Sequence, residues 1–412
     1  MEMRVLFLSD VPLKDPTSGS ERVLNSQVMG MAKAGMDVCT ITRMNSKNPM
    51  ITNNLDGITE AYYGASSQYY ALSAFSLFYY PFKFLSYYTR ENNLDAVIIH
   101  QPWNFFPLAL CGKLKNVAKI YVYHSPWHLE YLLSKSENKG LEQKIAATIR
   151  KRMERFCLQR TDKIITLSSY MRHVLHSLHE VPLQKIEINP GGVDLCIFKP
   201  LENREAEKLK RGFPPGKVHL FTLRNLEPRM GLDRLLKCMA ILREAKVNAH
   251  LCIGGVGPER AKLQNLIQEL AIADNVTMAG FIPAELLPNY YGSADFFILP
   301  TKRLEGFGLV TPESMACGTP VLGTPVGGTK EILSDFDSKL IFSNTSPEAI
   351  AAGIQMAIER CFNDTERYLR LRKKCRSYAE LKFSWDRHVD QLTASLKNVW
   401  SLKNLNQYQT QI

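Results

Sequence analysis

Short apolar runs rich in β-branched residues alternate with longer stretches of helical character along the whole chain. The runs fall at residues 4–9, 37–42, 95–100, 119–124, 163–167 and 186–189, then at 218–223, 248–254, 275–279, 295–299, 320–323 and 339–342. Runs this short and mostly apolar read as strands buried on both faces, with helices as the covering layers. Right-handed crossovers wind such strands into doubly wound parallel sheets. Twelve strands are too many for one small sheet, and the pattern restarts after a polar stretch, 201–217, that contains Pro214-Pro215-Gly216. The expected fold class is therefore α/β, with two Rossmann-like domains at 1–197 and 198–383. The tail, 384–412, is expected to be helical, because Val389, Leu392, Leu396 and Val399 recur at helical spacing.

Composition narrows the partners. The 51 Lys and Arg exceed the 40 Asp and Glu by 11, which favours anionic ligands such as phosphorylated compounds, nucleic acid or an acidic membrane face. Nucleic acid is not expected, since the basic residues join no recognition motif. The nine cysteines form no C-x-x-C pair and read as reduced thiols in a cytoplasmic protein. The start of the chain meets Asp10 too soon for a signal peptide. Residues 61–82 carry no charge, yet Gly64, Gln68 and Pro81 make a poor membrane span. An aromatic-rich helix pair over 61–88 is expected instead.

In open α/β sheets ligands gather at the carboxyl ends of strands, so the informative residues are those just after each run. After the first comes Ser18-Gly19-Ser20-Glu21, which is either an anion-binding turn with free amides or a plain N-capped loop. His124 ends the fourth run, placed to exchange a proton or hydrogen bond, or else to cap its loop; His128 is expected to be peripheral. Arg224 and Arg229 straddle a proline turn before a helix from Leu232, where two guanidiniums can share one diphosphate. Gly254-Gly255-Val256-Gly257 either admits a ligand to the backbone or simply turns the chain. The strongest signal is Glu305-Gly306-Phe307-Gly308-Leu309-Val310-Thr311-Pro312-Glu313. Thr311 as N-cap and Pro312 at the first helical position would fold both carboxylates toward one cleft and expose the amides of Phe307 to Val310. Asp335 and Asp337, and the histidines at 173, 176 and 179, do not read as metal sites; the latter spacing scatters rings around a helix.

Taken together, Glu305-x7-Glu313, the following Ser-Met-Ala-Cys-Gly-Thr-Pro-Val, Gly327-Gly328-Thr-Lys-Glu331, Asn189-Pro-Gly-Gly-Val-Asp194, Gly19-Ser-Glu21 and Tyr123-His124 resemble the retaining nucleotide-sugar glycosyltransferases of family 4. The resemblance covers nearly the whole chain. It implies the GT-B fold, two Rossmann-like domains facing across a cleft, with acceptor on the 1–197 side, donor on the 198–383 side and the last helix crossing back to the first domain. It places Glu305 beside the donor sugar, Glu313 on the ribose hydroxyls, and Arg224 and Arg229 on the diphosphate. It further implies that His124 contacts the sugar and Ile282 lies against the base. Gly19, Ser20, Gly255, Phe307, Gly308, Leu309 and Val310 would line the donor site. The nucleoside-diphosphate sugar is the co-substrate, and neither a cofactor nor a metal is expected. The pattern departs from the family at both basic positions, each displaced by one residue, and at Ser20, where a second glycine is usual.

The activity so implied is transfer of a hexose-type sugar to a hydroxyl on a lipid-linked or cell-surface glycan. A sugar-nucleotide epimerase or hydrolase of the same architecture, and a non-catalytic partner subunit, remain as alternatives. A glycosidase would share the paired carboxylates but has no use for a diphosphate clamp. Residues 135–160 carry eight Lys and Arg against three acids. With the aromatic segment they suggest peripheral contact with the inner face of a membrane, or else an ordinary solvated helix.

Overall fold

The computed structural model describes residues 3–11, 13, 18–44, 50–53, 57–64, 70–89, 93–134 and 140–409, and the side chains of most of these. The chain divides into two compact units, 1–191 with 385–412, and 192–384.

The first unit contains β1 (Arg4–Leu8), α1 (Gly19–Lys33), β2 (Asp37–Met44), β3 (Met50–Asn53), β4 (Thr59–Gly64), α2 (Tyr70–Tyr88) and β5 (Ala96–Ile99). It continues with α3 (Pro102–Leu110), β6 (Ala118–Tyr123), α4 (Trp127–Leu133), α5 (Leu141–Gln159), β7 (Lys163–Thr166), α6 (Ser169–His179) and β8 (Ile186–Ile188). The strands form one sheet in the order β3-β4-β2-β1-β5-β6-β7-β8, parallel except where β3 meets β4. Val5 to Leu8 and Ala96 to Ile99 are wholly buried, as the unbroken apolar runs require. The hairpin β3-β4 was not expected. Its inward residues Ala61 and Tyr63 alternate with half-buried neighbours, but the aromatics continue past Gly64 and hide the period. The expected helix pair at 61–88 is therefore one strand and one helix, α2, with Pro81 inside it.

The second unit contains α7 (Arg204–Lys210), β9 (Val218–Leu223), α8 (Leu232–Glu244), β10 (Ala249–Gly254), α9 (Arg260–Glu269), β11 (Val276–Gly280), α10 (Leu287–Ser293) and β12 (Phe296–Leu299). Then follow α11 (Val310–Ala316), β13 (Val321–Gly323), α12 (Gly327–Phe336), α13 (Pro347–Phe362) and α14 (Thr365–Lys382). Its sheet is parallel throughout, ordered β11-β10-β9-β12-β13. The run expected at 339–342 is a 3-10 turn, Ser338–Leu340, plus a single bridge from Ile341 to Gly323.

The last helix, α15 (Trp385–Gln409), returns to the first unit and lies on α1. Val389, Leu392 and Leu396 bury its apolar face. Gly30 on α1 makes this approach close: a Cβ there would stand 2.5 Å from Val389 Cγ2. No helix among the described residues is long and apolar enough to cross a membrane.

Candidate active site

Each sheet has one place where the winding reverses. In the second it lies between β9 and β12: from β9 the chain adds β10 and β11 on one side, then crosses to the other side of β9 to add β12 and β13. The loops after these two strands meet there. Arg224, one residue past β9, donates from Nη2 to Glu305 Oε2 at 2.5 Å, and Thr301, just past β12, donates to the same oxygen at 3.0 Å. Both members of the ion pair are buried. Arg224 Nη2 also lies 2.7 Å from Met230 Sδ, while its Nε is buried with no partner among the described residues.

Two glycines allow this closeness. Gly327 has φ +62, and a Cβ on it would come within 2.0 Å of the Glu305 carbonyl oxygen. Gly255 has φ +122, and a Cβ on it would meet the Arg224 carbonyl oxygen at 1.9 Å. Only glycine fits either position. Gly255 thus packs loop against loop, and its own amide donates to Gly280 O at 2.7 Å. Immediately before Glu305, Leu304 takes the left-handed conformation at φ +57, a strained setting for a branched side chain. Arg229 holds it there, Nη1 donating to Leu304 O at 2.9 Å and Nε to Glu227 Oε2 at 3.1 Å.

The turn after Glu305 departs from expectation in detail. The helix begins at Val310, with Leu309 rather than Thr311 as its N-cap, and Thr311 lies inside it. The amides of Phe307, Gly308, Leu309 and Val310 donate to no acceptor among the described residues. Glu313 is buried and accepts from the Tyr291 hydroxyl at 2.9 Å. Ile282 is buried over the end of β10, where a Cβ on Gly254 would lie 2.6 Å from its Cδ1. The structure therefore brings Arg224 and Glu305 together, seats Arg229 beneath the same loop, and leaves a row of amides next to them.

In the first unit, Ser18 caps α1 in a capping box with Glu21, and Gly19 and Ser20 begin the helix with amides that donate to nothing among the described residues. His124 follows β6 as expected, and the structure adds partners that the sequence did not suggest. His388 Nδ1 lies 2.8 Å from Pro190 O, its Nε2 2.8 Å from Gln27 Nε2, Gln27 Oε1 3.0 Å from His100 Nε2, and His100 Nδ1 3.0 Å from His124 Nε2. A carbonyl only accepts, so His388 carries its proton on Nδ1. Neutral rings then fix every later bond: Gln27 donates to His388, His100 Nε2 donates to Gln27, and His124 Nε2 donates to His100. His124 is left with a bare Nδ1, an acceptor. Burial lowers all three histidines, His124 and His388 to about 4, which keeps the rings neutral.

Asp10, just past β1, was also missed. Burial raises its carboxyl to about 7 against the pull of Arg43, and its Oδ1 has no partner among the described residues. The strand-end rule points to Asp10 and His100 equally; Gln27 and His388 come from distant chain and carry no local signal.

Two family models tile the chain. The one described as Glycosyltransferase Family 4 matches residues 17–196, and Glycosyl transferases group 1 matches residues 203–381. The chain belongs to the family 4 glycosyltransferases. A D-inositol 3-phosphate glycosyltransferase of Thermomonospora curvata is 27% identical over 406 residues, 92% of this chain and 91% of its own length. One from Segniliparus rotundus is 32% identical over 220 residues, 52% of this chain and 47% of that protein. A GDP-mannose-dependent alpha-(1-6)-phosphatidylinositol monomannoside mannosyltransferase of Mycobacterium tuberculosis is 29% identical over 232 residues, 55% of this chain and 59% of that protein. The match thus spans about half the length of the latter two relatives. Sucrose-phosphate synthase from Thermosynechococcus elongatus superposes with a TM-score of 0.80 at 21% identity, covering 97% of this chain and 100% of that one. Anabaena HepE in complex with UDP gives 0.73 at 15% identity, covering 96% and 100%. At such identities the likeness establishes the fold, the two-domain GT-B architecture.

Two outcomes follow from the site's electrostatics. Arg224→Met strands a buried carboxylate and is expected to cost about 3–5 kcal/mol of stability, much of it regained in Arg224→Met/Glu305→Gln. Urea unfolding of the four proteins checks this; equal losses in single and double variants would contradict it. The depressed histidines protonate first in the unfolded chain, so their share of stability is complete above pH 6.5 and drains away as pH falls toward 4. Asp10 works oppositely, favouring the fold less as pH rises from 4 to 7. In melting curves against pH, His388→Gln should flatten the acid limb, and Asp10→Asn should raise Tm more at pH 8 than at pH 5.

Proposed function

We propose that this protein is a retaining glycosyltransferase that moves a hexose-type sugar from a nucleoside-diphosphate sugar to a hydroxyl acceptor. The observation that carries this reading is the pairing of Arg224 with Glu305 beside four undonated amides, 307–310, at the winding reversal of the second sheet. As the diphosphate departs, negative charge grows on phosphate oxygens and positive charge on the sugar. Preorganised N–H groups facing the first and a carboxylate facing the second stabilise that separation. Arg224 serves both, pairing with Glu305 through Nη2 while its Nε, without a partner among the described residues, remains for a phosphate oxygen. Arg229 acts on the diphosphate chiefly by fixing the loop through Leu304. Glu313 takes the ribose hydroxyls with its carboxylate oriented by Tyr291, Ile282 takes the base, and His124 Nδ1 accepts from a sugar hydroxyl.

In this chemistry the acceptor attacks from the leaving-group face and a phosphate oxygen takes its proton, so no enzymic nucleophile is needed. Guanidinium and amides cover the diphosphate without a divalent ion. The names of the relatives support an acceptor that is a phosphorylated cyclitol or a lipid-linked glycan. Incubation with UDP-, GDP- and ADP-sugars should show one that raises Tm and is slowly hydrolysed. Glu305→Gln should lower kcat about 100-fold or more, and Glu313→Gln should mainly raise the donor KM. Binding without turnover in the wild type, at any acceptor, would favour the non-catalytic reading; isomerised sugar would favour an epimerase.

Peripheral membrane contact is the second part of the proposal. On α5, Leu141, Ile145 and Ile149 are 74%, 51% and 56% exposed at four-residue spacing, with exposed Lys144 and Arg152 beside them. An apolar stripe edged by cations suits an anionic bilayer surface. Flotation with phosphatidylserine vesicles should exceed that with neutral vesicles and be lost in Leu141→Ser/Ile145→Ser/Ile149→Ser. Equal flotation on both vesicle types would contradict this.

A further inference from the structure

Away from these loops, three helices of the first unit converge on a polar point inside the protein. His128 is in the first turn of α4, Glu154 is on the inner face of α5, and His179 ends α6. They are 7%, 1% and 1% exposed. His128, expected to be peripheral, is thus interior, and of the three spaced histidines only His179 points inward: His173 turns its Nδ1 to Ser169 O and His176 to Val181 O. Glu154 Oε2 stands 3.0 Å from His179 Nε2 and 3.9 Å from His128 Nδ1, and one ligand atom from each residue lies within 4.8 Å of the others.

None of these contacts has hydrogen-bond geometry. Glu154 Oε2, His128 Nδ1 and both nitrogens of His179 are buried with no hydrogen-bond partner among the described residues, and so is the hydroxyl of Tyr123 in β6 beside them. The carboxylate receives one weak donor, Trp127 N at 3.3 Å to Oε1. Burying a carboxylate oxygen and imidazole nitrogens together without partners is costly. Three lone-pair donors converging on one point satisfy each other only through something placed between them.

We infer that His128, Glu154 and His179 form a binding site for a divalent transition-metal cation of the zinc class. Two imidazoles and a carboxylate are a donor set for such ions, and bonds of about 2.0–2.1 Å in a tetrahedron put ligand atoms roughly 3.3 Å apart. The two spacings to Glu154, 3.0 and 3.9 Å, bracket that value and the third is within 4.8 Å, so side-chain rotations close the shell. A water completes the fourth position. The cation is a staple that pins α4, α5 and α6 over β6. Because His128 lies only four residues after His124, at the start of α4, it also holds the loop that carries His124. It stands apart from the proposed transfer chemistry, and its test does not depend on activity.

The full chain, expressed with zinc in the medium and passed through mild desalting, should carry about one zinc by elemental analysis. A strong chelator should then lower Tm by several degrees, and added Zn²⁺ should restore it by mass action. Cobalt loaded in place of zinc should give visible ligand-field bands. Glu154→Gln and His179→Gln, each confirmed as folded by circular dichroism, should carry no metal and show no chelator response. Should these variants fail to fold, the chelator cycle and the cobalt spectrum of the wild type decide alone. A wild-type chain without metal whose Tm ignores both chelator and Zn²⁺ would overturn the site, and so would zinc retained in a folded variant.

Discussion

The second unit is organised around one buried ion pair. Arg224 and Glu305 leave adjacent strands of the sheet at the point where the winding reverses, and each neutralises a charge the interior would otherwise reject. A pair of this kind is poor insurance for stability, since packed apolar residues would serve as well. Its presence makes sense where the charges have work to do. The glycines that touch the carbonyls of both residues, and the strained backbone of Leu304, show how closely the loops must fit to bring the two groups together.

The first unit solves a related problem with neutral groups. Burial keeps His100, His124 and His388 uncharged near neutrality, so they communicate through tautomers instead. A backbone carbonyl at Pro190 sets the proton on His388, and three further bonds transmit that choice to His124. This gives the returning helix α15 a purpose beyond covering α1, because it supplies the residue that begins the series. The fold thereby ties the far end of the chain to a strand-end side chain of the first domain.

Much of this was legible in the sequence, and the limits have physical causes. Buried parallel strands announce themselves as short apolar runs, so eleven of the twelve expected are present as strands. The hairpin β3-β4 escaped because its alternation dissolves into the aromatics that follow, and 339–342 failed because one bridge is all its register permits. The loop 305–313 was recognisable from its glycines and paired acids, though not the commitment of Arg224 to Glu305. That pairing depends on loops 81 residues apart meeting at a sheet reversal. That Gly255 must fit against the Arg224 carbonyl was not legible, because spacing does not reveal which backbone a glycine approaches. Gln27, His100 and His388, like His128, Glu154 and His179, are assembled by topology alone.

We propose that a diphosphate sits on the amides of residues 307–310 next to Arg224. Hydrogen–deuterium exchange of the intact chain, with and without saturating nucleoside diphosphate, tests it most directly. Slowed exchange at Phe307, Gly308, Leu309 and Val310 is the predicted result. Unchanged exchange there, with ligand bound and protection found elsewhere, would contradict the account.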